Sequence, residues 1–401
     1  MKVKEINSSG LMSTFLIWSA IAGVGMISQQ AIASSITEAL EKGKPVLDVR
    51  LRAEMVDQDG KNEKANALTA RTRIGYMSGE FSGFKGYFEF ENITAVKDDY
   101  NSLTNNKTAY PVVADPEGSE VNQAFLSYGG VKGLTAKVGR QRIILDNARF
   151  VGNVGWRQNE QTYDAALLKA SMIKDVIATY AFVDGINGIT GGSAETDSHL
   201  INLSYKGLPA TKLTAYSYLI DMESGADNKT LGLSASGKFA VSDSMKMLYA
   251  AEVAQMSDYA DNDSGNSADY YSIEAGAALK PVTLKLGYEV LGGDGTTSFS
   301  TPLATKHKFN GWADVFLKTP DNGLVDMYLT AVGKIKGVKL LAVYHNYSSD
   351  TGGDDYGSEI NLLAAKKFGK HYTAGVKYAN YMAGDIKSDI NKIWLWGGLK
   401  F

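Results

Sequence analysis

A strict two-residue alternation of apolar and polar side chains, repeated in segments along the whole chain, constrains its fold more than any other feature. In the stretch Leu47 to Met55, Leu47, Val49, Leu51, Ala53 and Met55 share one face, and Asp48, Arg50, Arg52 and Glu54 share the other. The pattern returns where Phe88 and Phe90 oppose Glu89 and Glu91, and where Met245, Met247, Tyr249, Ala251 and Val253 oppose Lys246 and Glu252. It returns again where Val282, Leu284, Leu286 and Tyr288 oppose Lys285 and Glu289, and where Tyr372, Ala374, Val376 and Tyr378 oppose Thr373, Gly375 and Lys377. Each segment is about ten residues long, the length a tilted membrane strand needs.

One such strand fits a soluble sandwich equally well; the connections decide between the two. Short turns at Ser78-Gly79, Gly129-Gly130, Lys206-Gly207, Lys280-Pro281, Lys336-Gly337 and Gly369-Lys370 alternate with longer polar loops such as 257–267 and 348–357. Short turns at one end and long loops at the other predict an all-β, antiparallel transmembrane barrel over residues 45–401, with about 18 strands. Residues 292–323 read as one long external loop, with a further strand over 309–316 as the alternative. The chain ends Ile393-Trp394-Leu395-Trp396-Gly397-Gly398-Leu399-Lys400-Phe401. The terminal Phe401 resembles the signal that outer-membrane assembly machinery reads, although Gly397 stands where a larger apolar residue is usual.

The N-terminus carries Lys2 and Lys4, an apolar stretch from Leu11 to Ile27, and the small-x-small step Ala31-Ile32-Ala33. We expect a cleaved signal peptide over residues 1–33, followed by a short periplasmic segment over 34–44; an uncleaved anchor is the alternative. Beyond it no apolar run approaches the roughly 18 residues of a membrane helix. The implied location is the bacterial outer membrane, with lipid and lipopolysaccharide around the barrel. The 42 glycines, 22 tyrosines and 7 prolines suit one large β unit. A net charge of −3 gives no basic face for nucleic acid, and the absence of cysteine removes disulfides, thiolate metal sites and thiol nucleophiles.

Closure follows from the solvent. In hydrocarbon an unpaired backbone N–H or C=O costs several kcal/mol, so the first strand must pair with the last. At about 18 strands the lumen is too wide for wall side chains to fill, which leaves a water path unless loops fold inward. The polar faces then line that lumen. Arg50 and Arg52, next Arg71 and Arg73, then Glu89 and Glu91 would stand on three consecutive strands. Such ladders either balance one another's charge or polarise a conduit for anions.

A second constellation runs from Gly139 through Arg140, Arg142, Asp146, Arg149 and Phe150 to Trp156, Arg157 and Gln161. The loop 146–161 is too long for a tight turn; it either caps the rim or folds in and constricts the lumen with Arg149, Phe150, Trp156 and Arg157. Gly139 permits a bulge, so the facing of Arg140 stays open.

Three segments carry a family resemblance: GRQRIILDNARFVGNVGWRQNEQTYDAA, TPLATKHKFNGWADVFLKTPDNGLVD, and the strand Asn122 to Tyr128. They resemble the alginate export family of outer-membrane barrels, and the likeness extends over most of the mature chain. The resemblance implies an 18-stranded barrel and an arginine-lined conduit for an anionic polysaccharide, with Arg140, Arg142, Arg149 and Arg157 as lining. Glu89 and Glu91 beside the arginines, and the slightly acidic chain, depart from that picture. We therefore expect a passive channel for small anionic solutes, with a dedicated polysaccharide exporter as the alternative. Neither needs a cofactor. His199, His307, His345 and His371 are scattered without nucleophile or metal-ligand spacing, which predicts no enzyme. The Asp-rich loops at 258–263 and 350–355 lack calcium-loop spacing and read as solvated charge.

Overall fold

The computed structural model describes residues 29–223, 225 and 227–401. The expected leader falls mostly on residues 1–28, outside the described residues. Helix α1 (Gln29–Glu41) precedes eighteen strands. These are β1 (Lys44–Gln58), β2 (Ala65–Met77), β3 (Phe84–Asp99), β4 (Gly118–Tyr128), β5 (Leu134–Gln141) and β6 (Thr162–Ala170). There follow β7 (Val176–Asn187), β8 (Ser193–Leu208), β9 (Thr211–Ile220), β10 (Asn228–Ala240), β11 (Met245–Ser257) and β12 (Ser267–Leu279). The last six are β13 (Val282–Leu291), β14 (Leu324–Ile335), β15 (Val338–Ser348), β16 (Asp355–Phe368), β17 (Tyr372–Met382) and β18 (Ile390–Lys400).

Each strand pairs antiparallel with its sequence neighbours, and β1 closes on β18 from Asp48↔Lys400 to Gln58↔Ile390. Among the described residues no strand is left as a free edge, as hydrocarbon requires. The four longest connections all fall at one end. At the opposite end the connections span 78–83, 129–133, 171–175, 209–210, 241–244, 280–281, 336–337 and 369–371. The four long ones are 100–117, 142–161, 258–266 and 292–323. The last of these contains only a single turn of 3₁₀ helix at Lys306–Lys308, so 309–316 is not a strand.

Burial is inverted relative to a soluble protein. Large apolar side chains such as Leu51, Ile74, Phe88, Leu233, Leu286 and Leu395 stand exposed on the outer wall. Arg52, Glu54, Arg73, Glu91 and Glu359 are buried inside. An apolar belt suits hydrocarbon as solvent, while the polar face keeps its partners within the barrel. Tyr76, Phe84, Phe239, Phe368, Tyr372 and Phe401, all exposed, lie at strand ends beside the short turns or at the chain's end. They form the aromatic girdle of a membrane boundary. α1 docks at this end, where Tyr76 Oη donates to the Leu40 carbonyl and the Gly79 amide to that of Ala39.

Candidate functional site: a lumen crossed by two loops

The loop 142–161 crosses the lumen. From β5 it reaches β13, where Arg149 Nε donates to Glu289 Oε1 at 2.7 Å. Phe150 packs among rings from β9 and β12, 5.2 Å from the centroids of both Tyr216 and Tyr270. The chain then returns to the opposite wall. There Arg157 bonds Glu54 of β1 at 3.0 Å, and Gln158 Nε2 donates to Thr69 Oγ1 of β2 at 2.8 Å. With β1 facing β9 and β10 across an eighteen-strand ring, the loop spans the full width of the barrel.

Arg157 is the hub of that return. Its guanidinium also lies 3.0 Å from Asp314 and 3.7 Å from Asp115, on two further loops. Arg52 pairs with Asp115, which accepts in turn from the Gln158 amide at 2.7 Å. Arg50 donates to Gln158 Oε1 at 2.9 Å. Nearer the short-turn end, Arg73 pairs with Glu91, and with Glu160 at 3.0 Å. Arg142 also bonds Glu160, and lies 3.1 Å from Glu89. Burial alone would raise the Glu160 carboxyl; the Arg73 and Arg142 guanidinium groups outweigh it and hold the carboxyl at about 2. Arg71 reaches Asp48 at 2.5 Å. The arginine ladders thus interlock with carboxylates of the wall and of the inserted loops.

The loop 292–323 fills the other half. The Trp312 and Ala313 amides both donate to Glu359 Oε1 of β16, at 2.5 and 2.8 Å. Gly311 makes this possible: at φ +86° a Cβ would meet Glu359 Oε2 at 2.2 Å. Asn310 bonds Glu289 at 2.6 Å and Asp326 at 3.1 Å. Phe316 lies among Tyr347, Tyr356 and Tyr381, with centroids 4.8 to 5.9 Å away. Lys377 of β17 is caged by Trp312 and Trp156 at 3.8 and 4.2 Å to their centroids, with Trp394 at 5.4 Å. Its Nζ donates to His307 Nε2 at 2.6 Å, which leaves the imidazole proton on Nδ1, directed at Asp314 Oδ1 at 2.7 Å. Burial pushes His307 down to about 3 despite that carboxylate.

The two loops also grip each other. Gly152 N donates to Leu303 O at 2.8 Å, Thr305 N to Ala148 O at 3.0 Å, and Trp156 stacks on His307 at 5.3 Å.

Among the expected lining residues, Arg50, Arg52, Arg71, Arg73, Glu89, Glu91 and Arg142 all sit on the lumen side, and Arg149, Phe150, Trp156 and Arg157 lie on the crossing loop. Arg140 is a correction. It stands opposite Ala124 and Asp164, in step with Val138 and Leu126, which face outward. Gly139, at φ +115°, brings the backbones so close that a Cβ would meet Ala124 O at 2.3 Å, and Gln141 takes the buried lumen side. Arg140 instead forms a two-pronged pair with Asp164, at 2.8 and 2.9 Å, on the outer face. Asp115, Asp314 and Glu160 complete the clusters; all three lie in loops without periodicity, and although Asp314 and Glu160 fall within the segments that carry the family resemblance, no alternation marks them as partners of the arginines.

Two large chambers flank the crossing loops. The inner one, about 650 Å³, opens towards the short turns, and its charged lining is Arg50, Arg71, Arg73, Arg142 and Lys400 against Asp48, Glu89 and Glu160. The outer one, about 670 Å³, lies under the long loops and carries Arg157, Lys306, Lys387 and Lys392 against Asp314. The segment 153–161 contributes lining to both.

Known proteins place this architecture. Residues 47–183 match the family model described as alginate export; the likeness of the 301–326 segment lies outside the matched range. No curated protein matches the chain by sequence. Among solved structures, Pseudomonas aeruginosa OccK9 (OpdG) superposes with a TM-score of 0.72 at 12% identity, covering 90% of this chain and 100% of that one. Acinetobacter baumannii OccAB2 gives 0.72 at 15%, covering 90% and 99%. Pseudomonas aeruginosa OpdK, solved with vanillate, gives 0.72 at 12%, covering 90% and 99%. The chain is an 18-stranded barrel with the fold of outer-membrane porins, and from Leu47 to Val183 it carries the sequence pattern of the alginate export family.

Proposed function

We propose that this barrel is a passive outer-membrane channel, not an enzyme, for small anionic solutes. One observation carries the reading: both chambers hold more cationic side chains than carboxylates, five against three inside and four against one outside, although the chain's net charge is −3. A charged chamber with low-dielectric walls concentrates counter-ions and sets their sign. The buried ladders beside the inner chamber fix its geometry, and its cations outnumber its carboxylates; among the described residues Arg50 bonds Gln158 and two backbone carbonyls, with no carboxylate in ion-pair contact. A structural relative was solved with vanillate, a carboxylate, which agrees with this reading. Residues 1–33 serve as the leader, and Phe401 as the assembly signal.

A planar bilayer holding the full barrel tests the proposal through its reversal potential in a salt gradient. Anion-selective current that weakens in Arg142→Gln and Lys400→Gln supports it; a cation-selective pore overturns it. The family match favours one second reading, export of an anionic polysaccharide. A polymer requires both crossing loops to leave the lumen, so current blockade by long uronate oligomers, absent with the monomer, would favour export.

A further inference from the structure

We propose that the outer chamber is a binding station for an amphipathic organic anion with an aliphatic body and one acidic head, captured against the outer side of the crossing loops before it passes them. The inference rests on the anion-channel reading and adds a substrate class to it.

The chamber's composition carries the argument. Leu103, Val112, Val154, Pro302, Val315 and Leu317 line it, and every apolar side chain in its lining is aliphatic. Leu103, Val112 and Leu317 are exposed on the loops 100–117 and 292–323, at the long-loop end. These are not members of the lipid-facing belt; they are apolar groups left in contact with water at the mouth of an otherwise polar lumen. The volume of about 670 Å³ lies within the range of small-molecule sites. An aliphatic wall whose one lining ring, the His307 imidazole, is already stacked on Trp156 suits a hydrocarbon tail, and rewards a polyhydroxylated anion far less.

The cations supply the other half. Among the described residues, Lys306 and Lys387 have no carboxylate within ion-pair distance, whereas Lys392 lies 3.6 Å from Asp314, which also takes Arg157 and His307. Lys306 sits half-buried on the 3₁₀ turn, where burial and then the Arg149 guanidinium lower its ammonium's pKa. A half-buried ammonium beside another cation gains from a bound carboxylate, which adds the missing opposite charge. The inner chamber has the contrary make-up, with five cations among Asp48, Glu89 and Glu160 and few aliphatic groups. The two chambers therefore select by different chemistry, the outer by apolar body plus charge and the inner by charge.

Hexanoate and gluconate are the discriminating probes, because both have six carbons and one carboxylate and differ in five hydroxyl groups. Each is titrated calorimetrically into the full barrel in detergent, with micelles alone subtracted. Hexanoate should bind roughly tenfold tighter or more, by the area of its tail. Lys306→Gln should weaken hexanoate several-fold, and Leu317→Ser should narrow the gap between the two probes. Equal binding of hexanoate and gluconate, or a preference untouched by both substitutions, overturns the station. The reversal potential is measured on the same preparation: anion selectivity with equal binding defeats the station alone, whereas cation selectivity defeats the channel reading beneath it.

Discussion

The walls β1–β5 and β14–β18 hold the crossing loops by opposite means. On β1–β5 the grip is ionic: Arg50, Arg52, Arg73 and Glu54 meet Gln158, Asp115, Glu160 and Arg157. On β14–β18 it is mostly aromatic. Phe316 sits among three tyrosines, and Trp312 and Trp156 clasp Lys377. The ionic wall depends on complete pairing, because each buried charge is costly once its partner leaves. The aromatic wall depends on volume, because its energy scales with area removed from water. The same lumen is thus closed on one side by a network that fails abruptly, and on the other by packing that loosens by degrees.

Removing the ionic hub should give the largest effect. Arg157→Ala leaves Glu54, Asp115 and Asp314 short of a partner in a buried site, at about 3–5 kcal/mol for such a break. The segment 153–161 should leave the wall, and single-channel conductance should rise several-fold. Unchanged conductance would mean that the grip on the return segment does not reside in Arg157. Phe316→Ala tests the aromatic wall at about 3 kcal/mol, the low end for a buried ring because water can fill part of the space. The barrel should keep the conductance of a lodged loop but show more frequent brief openings. A stable conductance step equal to that of Arg157→Ala would erase the distinction between the walls.

Acidification should act next in size, through the junction of the two loops. While they are lodged, His307 takes a proton only near pH 3; when released, it does so near its ordinary 6.5. Lodging is therefore fully favoured above pH 6.5 and weakens as pH falls from 6.5 towards 3. Glu160 adds to this below 4.5, since it stays ionised down to about 2 only beside Arg73 and Arg142. Open probability should climb between pH 7 and pH 5 in the parent chain. His307→Gln should lose that first rise and keep the later one.

How legible each wall was follows from the same contrast. Charges on β1–β3 stand out because period-two alternation puts Arg50, Arg52, Arg71, Arg73, Glu89 and Glu91 on the wet face, and all six lie on the lumen side. Their partners on loops were hidden, since Asp115 and Asp314 sit in segments without a period and are brought to Arg157 only by the crossing of two loops. The aromatic wall did leave a trace. Tyr347, Tyr381 and Trp394 occupy wet-face positions, and each is fully buried. A large ring on the lumen side of a wide barrel implies something packed against it, here the loops themselves. Closure and strand number were readable because hydrocarbon leaves the backbone a single solution. Loop placement was not, because it depends on contacts between segments more than a hundred residues apart, such as Arg149 with Glu289.

The smallest effect should come from Arg140, and it sharpens the contrast most cleanly. The residue belongs to an arginine-rich run, and by composition alone it ranks with Arg142 two positions on. The end of β5 at Gln141 separates them: Arg142, beyond the strand, enters the lumen to bond Glu160, while Arg140, still in register, pairs with Asp164 on the outer face, both side chains partly exposed. An exposed pair contributes about 0–1 kcal/mol, and a charge outside the wall is screened from the ions inside it. Arg140→Gln should leave conductance and reversal potential at parent values and cost at most a small drop in thermal stability. Arg142→Gln should move the reversal potential towards cations. Equal shifts in the two variants would place Arg140 on the conducting path and return the outer face of β5 to question.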